Sequence, residues 1–135
     1  MDKSKKALII TDGAPTTVRL AGIIAGNING NPLFGYSAVI MNAENFNGND
    51  LLPVQAFFLG CELPKPASFY YLEDLLMHIN LSGRRCGIFS GDYKALKYLS
   101  GLIRSCEAAT GDPLQVKNEG LSGDEIEIWL KNILK

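Results

Sequence analysis

The stretch Leu81-Ser82-Gly83-Arg84-Arg85-Cys86-Gly87-Ile88-Phe89-Ser90-Gly91-Asp92-Tyr93 decides the fold. Leu81-Ser82-Gly83 turns the chain. Cys86–Phe89 is then a short apolar run of strand length, and Ser90-Gly91-Asp92 breaks it. A helical stripe follows at once, with Leu96, Leu99, Ile103 and Cys106 spaced three and four apart. A strand that is apolar throughout belongs in a sheet covered on both faces. A helix directly after it is the crossover that parallel strands need.

The same unit repeats outward from this segment. Upstream, Ala56–Leu59 is a third strand, and the helix after it carries Phe69, Leu72, Leu76 and Ile79. Ala38–Met41 is a second strand, joined to the third by only a short polar link from Asn42 to Asp50. Ala7–Ile10 is the first strand, broken by Asp12-Gly13-Ala14-Pro15. Its helix places Val18, Ala21, Ala25 and Ile28 on one stripe and ends at Asn29-Gly30-Asn31-Pro32. Downstream, Thr110-Gly111-Asp112-Pro113 stops a helix and Leu114–Val116 is the fifth strand. Ser122, with Glu125 three residues later, has the form of a capping box for a last helix bearing Ile126, Leu130 and Ile133. Alternating strands and helices predict an α/β fold with a five-stranded parallel sheet and helices on both faces. The expected organisation is one domain over residues 1–135, with residues 1–6 a basic solvated tail around Lys3, Lys5 and Lys6.

Composition narrows the function. The 135 residues carry 13 basic and 14 acidic side chains, a net charge of -1. That balance argues against a nucleic-acid binder, which concentrates positive charge. No segment approaches the ~20 apolar residues of a membrane span, and the run after the N-terminal lysines stops at Thr11-Asp12, short of a signal-peptide core. A cytoplasmic location is expected. Cys61, Cys86 and Cys106 are odd in number, lack metal-site spacing and have only His78 as a possible companion. Small core residues are the reading that fits them.

Ligands of open α/β sheets bind beyond the carboxyl ends of the strands. At this point the chain resembles the flavodoxins. The resemblance rests on Asn42-Ala43-Glu44-Asn45-Phe46 through Asn49-Asp50-Leu51-Leu52, with Ala56-Phe57-Phe58-Leu59-Gly60. It rests most specifically on Leu81–Tyr93, and also on Leu114-Gln115-Val116 with the last helix. It implies a flavodoxin-like three-layer sandwich with strand order 2-1-3-4-5. It also implies binding of flavin mononucleotide (FMN) and electron transfer to a redox partner protein, so a carrier or binding domain rather than an enzyme.

In that family the loop after the first strand holds the phosphate with the pattern Ser or Thr, any residue, Thr, Gly, any residue, Thr. Hydroxyls and backbone N–H groups donate to the phosphate, and the helix N-terminus favours its charge. This chain reads Asp12-Gly13-Ala14-Pro15-Thr16-Thr17, and only Thr17 matches. A carboxylate, a methyl and a proline without N–H replace two hydroxyls and a glycine. Hydrogen bonds to a charged group are worth ~1.5–3 kcal/mol each. Losing two or three weakens binding by roughly a hundredfold or more. Tight FMN binding in the family's manner is therefore not expected, although Gly13, Thr16 and Thr17 remain as an anion site. The resemblance places Cys61, Glu62 and Leu63 in the second loop, and Gly91, Asp92 and Tyr93 in the third. Tyr93 stands where the family stacks an aromatic on the outer flavin face. On the inner face the candidates are Leu63, or Phe69 if the helix starts late, although Phe69 fits the core stripe better.

Other readings are weaker. Asp12, Glu62 and Asp92 share the carboxyl edge and could ligate a divalent cation, though turn and cap roles explain Asp12 and Asp92 equally. Asp12, Ser90 and Lys117 also resemble receiver domains of two-component signalling, but Gly60-Cys61 stands where the phosphoacceptor Asp belongs. Cys61 has no evident base and reads as an inert thiol. The alternative to the electron carrier is a cofactor-free domain of the same fold, acting through protein or small-ligand contacts.

Overall fold

The computed structural model describes residues 5–116 and 123–134. In chain order these form β1 (Lys5–Thr11), α1 (Pro15–Asn29), β2 (Tyr36–Asn42), β3 (Ala56–Gly60), α2 (Tyr70–His78), β4 (Arg85–Ser90), α3 (Tyr93–Cys106), β5 (Ala109–Thr110), β6 (Leu114–Gln115) and α4 (Gly123–Leu134). The sheet is parallel, in the order β2-β1-β3-β4-β5. β6 also pairs with β4, so β5 and β6 are two halves of a broken fifth strand.

The apolar strands follow from burial on both faces. Successive residues point to opposite sides. Leu8, Ile10, Phe57, Leu59, Cys86 and Ile88 pack against α2 and α3. Ala7, Ile9, Ala56, Phe58 and Phe89 pack against α1 and α4. The link from β2 to β3 holds two short 3-10 turns, 43–45 and 48–51, in place of a helix. They bury Ala43, Phe46 and Leu51, and Asn42 and Asn47 cap them.

Several sequence expectations shift. Lys5 and Lys6 are not tail residues but the first residues of β1. They pair with Tyr36 and Ser37, and the Lys5 ammonium stands 5.7 Å over the Tyr36 ring. Lys3 lies outside the described residues. In α1 the buried set is Thr17, Ala21, Ile24, Ala25 and Ile28, while Val18 is 43% exposed. Val18 is turned about 100° from Thr17, so one polar threonine takes the place that apolarity alone assigned to valine. Phe69 is fully buried in a 3-10 turn before α2, which bears out its core reading, and Ile79 lies just past the helix end. α3 stops at Glu107, which adopts the left-handed conformation (φ 63°), and Thr110 is already strand. The stripes Leu96–Leu99–Ile103–Cys106 and Ile126–Leu130–Ile133 are buried as read. The Ser122 end of the capping box and Lys117 lie outside the described residues. No described helix is long and apolar enough to cross a membrane.

Candidate functional site

The loops after β1, β3 and β4 meet at the carboxyl edge of the sheet and are laced by side chains. After β1 the chain must turn sharply into α1. Gly13 takes φ +83°, and its N–H donates to the Thr11 hydroxyl at 3.2 Å. A side chain there would collide with the Asn42 amide. Asp12 Oδ1 accepts the Ala14 N–H at 3.1 Å, a local turn bond that aspartate forms readily. Its Oδ2 reaches across the edge to accept the Glu62 N–H at 2.8 Å. Ser68 Oγ donates to the Asp12 carbonyl at 3.3 Å, and Thr16 Oγ1 donates to Glu62 Oε2 at 2.6 Å.

The β4 loop is tied in the same way. Ser90, buried, donates to the Cys61 carbonyl at 2.6 Å and accepts the Asp92 N–H at 3.1 Å. Asp92 caps α3 by accepting the Ala95 N–H at 3.1 Å. Helix α1 lacks such a cap: its Ncap is Ala14, Pro15 follows, and its first turn holds no acid. By position the N–H groups of Thr16 and Thr17 have no intrahelical acceptor and sit at the positive end of a 15-residue helix.

Beside this end lies a cavity of about 510 Å³, between α1, the ends of β3, β4 and β6, and α4. Its walls are largely apolar, with Leu20, Ile24, Phe89, Leu114, Val116 and Ile126. Thr16, Thr17, Arg19, Glu62, Ser90 and Asp92 supply the polar part. The Phe89 ring lies across Gly60 of the neighbouring strand, where a Cβ would collide with it, so the glycine lets the ring lie there.

The cavity therefore gathers Thr16, Thr17, Cys61, Glu62, Gly91 and Asp92 from the expected set. Asp12 and Gly13 shape the neighbouring loop without lining it. Leu63 and Tyr93 are not in its walls. Both are 62% exposed, and Tyr93 opens α3 with the Lys97 ammonium 5.9 Å from its ring centre. Sequence reading gave Arg19 and Leu20 no role and took Val116 and Ile126 only as parts of the fifth strand and the last helix, yet all four line the cavity. The signal was the spacing of Thr16, Leu20 and Ile24, which places all three along one side of α1.

Cys61 is fully buried. Burial first, then the Asp12 and Asp92 carboxylates, push its thiol up to about 12. It stays protonated at neutral pH, which suits an inert thiol. Each of the three edge carboxylates is engaged separately, and no group of His, Cys, Asp or Glu suited to a metal ion occurs among the described residues.

This architecture matches solved structures of flavodoxins. A flavodoxin from Streptococcus pneumoniae superposes with a TM-score of 0.78 at 14% identity, over 96% of this chain and 97% of that one. A short-chain flavodoxin associated with a non-canonical PDU bacterial microcompartment gives 0.77 at 9% identity, over 96% and 97%. Oxidised flavodoxin 2 from Bacillus cereus gives 0.71 at 18% identity, over 90% and 91%. The chain thus has a flavodoxin-like fold. No protein-family model matches the sequence, and no curated protein matches it.

For the FMN that the resemblance implies, the two ends of the molecule would be served unequally. The largely apolar lining and the volume are of the kind that hold small ligands. The phosphate does not find the expected cradle. The Ala14 and Glu62 N–H groups already hold the Asp12 carboxylate, the Thr16 hydroxyl already donates to Glu62, and Pro15 has no N–H.

Proposed function

We propose that this chain is a flavodoxin-like electron carrier that takes a flavin at the carboxyl edge of its sheet. FMN is the ligand the resemblance implies, and a redox protein docking at that edge is the partner. The observation that supports this most is the cavity of about 510 Å³ beside the uncapped start of α1. Apolar pockets with a few convergent polar groups at such a strand edge are where α/β folds hold small ligands.

A bound flavin supplies the redox chemistry. The protein's part is to bind, orient and exclude water. Leu20, Ile24, Phe89 and Ile126 offer a dry surface for the ring, and the N–H groups of Thr16 and Thr17, with Arg19, are the donors left for its polar end. Three buried thiols without disulfides suit a reducing compartment, which supports the cytoplasm as the place of action.

The test is a titration of the purified protein with FMN, following quenching of flavin fluorescence, together with an absorption spectrum of the protein as isolated. Saturable quenching at micromolar flavin is expected, weakened about tenfold or more in Leu20→Lys, which puts a charge in the apolar wall. Absence of both a flavin band and saturable quenching would leave the cofactor-free alternative standing.

A further inference from the structure

We infer that this site does not select for a phosphate: riboflavin, whose tail ends in a neutral hydroxyl, binds with an affinity that FMN does not exceed by more than about threefold. This rests on the flavin-binding reading and narrows it to a ligand class, a flat aromatic ring with a polyol tail.

The loop after β1 contains an anion of its own. Asp12 accepts from Ala14 N–H with one oxygen and from Glu62 N–H with the other, at 3.1 and 2.8 Å. Both donors point at a carboxylate that belongs to the chain. A ligand oxyanion entering here would have to displace it. The Thr16 hydroxyl, the next donor along, is turned to the Glu62 carboxylate at 2.6 Å.

Charge acts in the same direction. Glu62 and Asp92 line the cavity against one cationic lining side chain, Arg19, and the start of α1 adds only about half a positive charge, so a phosphate dianion still meets a slightly acidic balance. An uncharged polyol meets the opposite situation. Its hydroxyls donate, and Glu62 retains acceptor capacity beyond its bond to Thr16, since a carboxylate offers about four acceptor sites.

The experiment titrates the wild-type protein with riboflavin and with FMN in the same buffer. The expected result is an FMN dissociation constant no smaller than about one third of that of riboflavin. FMN tighter by more than that overturns this inference and leaves the flavin reading intact. Saturation by neither flavin sinks both. Glu62→Gln, at an exposed position and able to keep the Thr16 bond, is expected to shift the ratio about fivefold or more towards FMN. An unshifted ratio would also overturn the inference.

Discussion

Ser90 is the residue that joins two loops of the site. Its hydroxyl donates to the Cys61 carbonyl and accepts from the Asp92 N–H, all in a buried setting. Ser90→Ala removes both bonds and leaves a buried carbonyl without its donor. The expected cost is about 1–3 kcal/mol of stability. Urea unfolding followed by circular dichroism measures it, and an unchanged midpoint would mean the loops hold without this hydroxyl. Sequence reading placed Ser90 in a break after the fourth strand and in a weak likeness to receiver domains, with no partner for its hydroxyl. The carbonyl it meets is 29 residues away, and no local pattern encodes that pairing. Asp12 shows the same limit. Its turn bond to Ala14 was legible from the Asp-Gly turn, whereas its bond to Glu62 spans 50 residues.

Elements were more legible, because strand and helix periodicities are local. The first four strands lie where continuous apolar runs placed them, lengthened by one or two residues at one or both ends, whereas the fifth, expected at Leu114–Val116, is split into Ala109–Thr110 and Leu114–Gln115. Errors arose where side-chain type and position disagree: Thr17 buried on α1, Val18 exposed, and two lysines opening β1. The contact between α4 and β4 depends on a residue with no side chain. A Cβ on Gly87 would stand 2.6 Å from Ile133 Cδ1 and 2.8 Å from the Phe58 ring. Gly87→Ala should therefore push α4 off the sheet and cost about 1–3 kcal/mol by overpacking. Thermal melting reads this directly. A melting temperature equal to wild type would mean α4 is seated less closely than the geometry shows.

At the scale of the whole molecule, one sheet divides two cores, and the buried thiols lie in one of them: Cys61, Cys86 and Cys106 all sit on the α2–α3 side. Burial raises each of them, Cys86 well above the ordinary 9.0 and Cys61 to about 12. Burial first, and then the hydrogen bond to Glu73, raise Tyr98 beside them. A raised folded value means that the folded chain keeps its protons after the unfolded chain begins to lose them. Stability is then complete below about pH 9 and falls as pH climbs towards 12. Each such group contributes a slope of about 1.4 kcal/mol per pH unit within its window. Urea midpoints should hold level up to about pH 8 and then fall steadily between about pH 9 and about pH 10.5, less steeply in Cys61→Ala. A flat profile would contradict protonated, buried thiols.

The interruption between β5 and β6 has a use in protein engineering. Residues 111–113 leave the ladder at the rim of the sheet, while Ala109–Thr110 and Leu114–Gln115 each keep their own pairing with β4. Trp129 fixes the gap by donating its indole N–H to the Asp112 carbonyl at 2.8 Å. A peptide spliced in immediately after Pro113 would lengthen an excursion that already exists, breaking no strand pairing and sparing the tryptophan's anchor. Loop length itself is inexpensive, at about 0.6 kcal/mol per doubling. The break is thus the natural port for a tag, a reporter or a grafted binding loop.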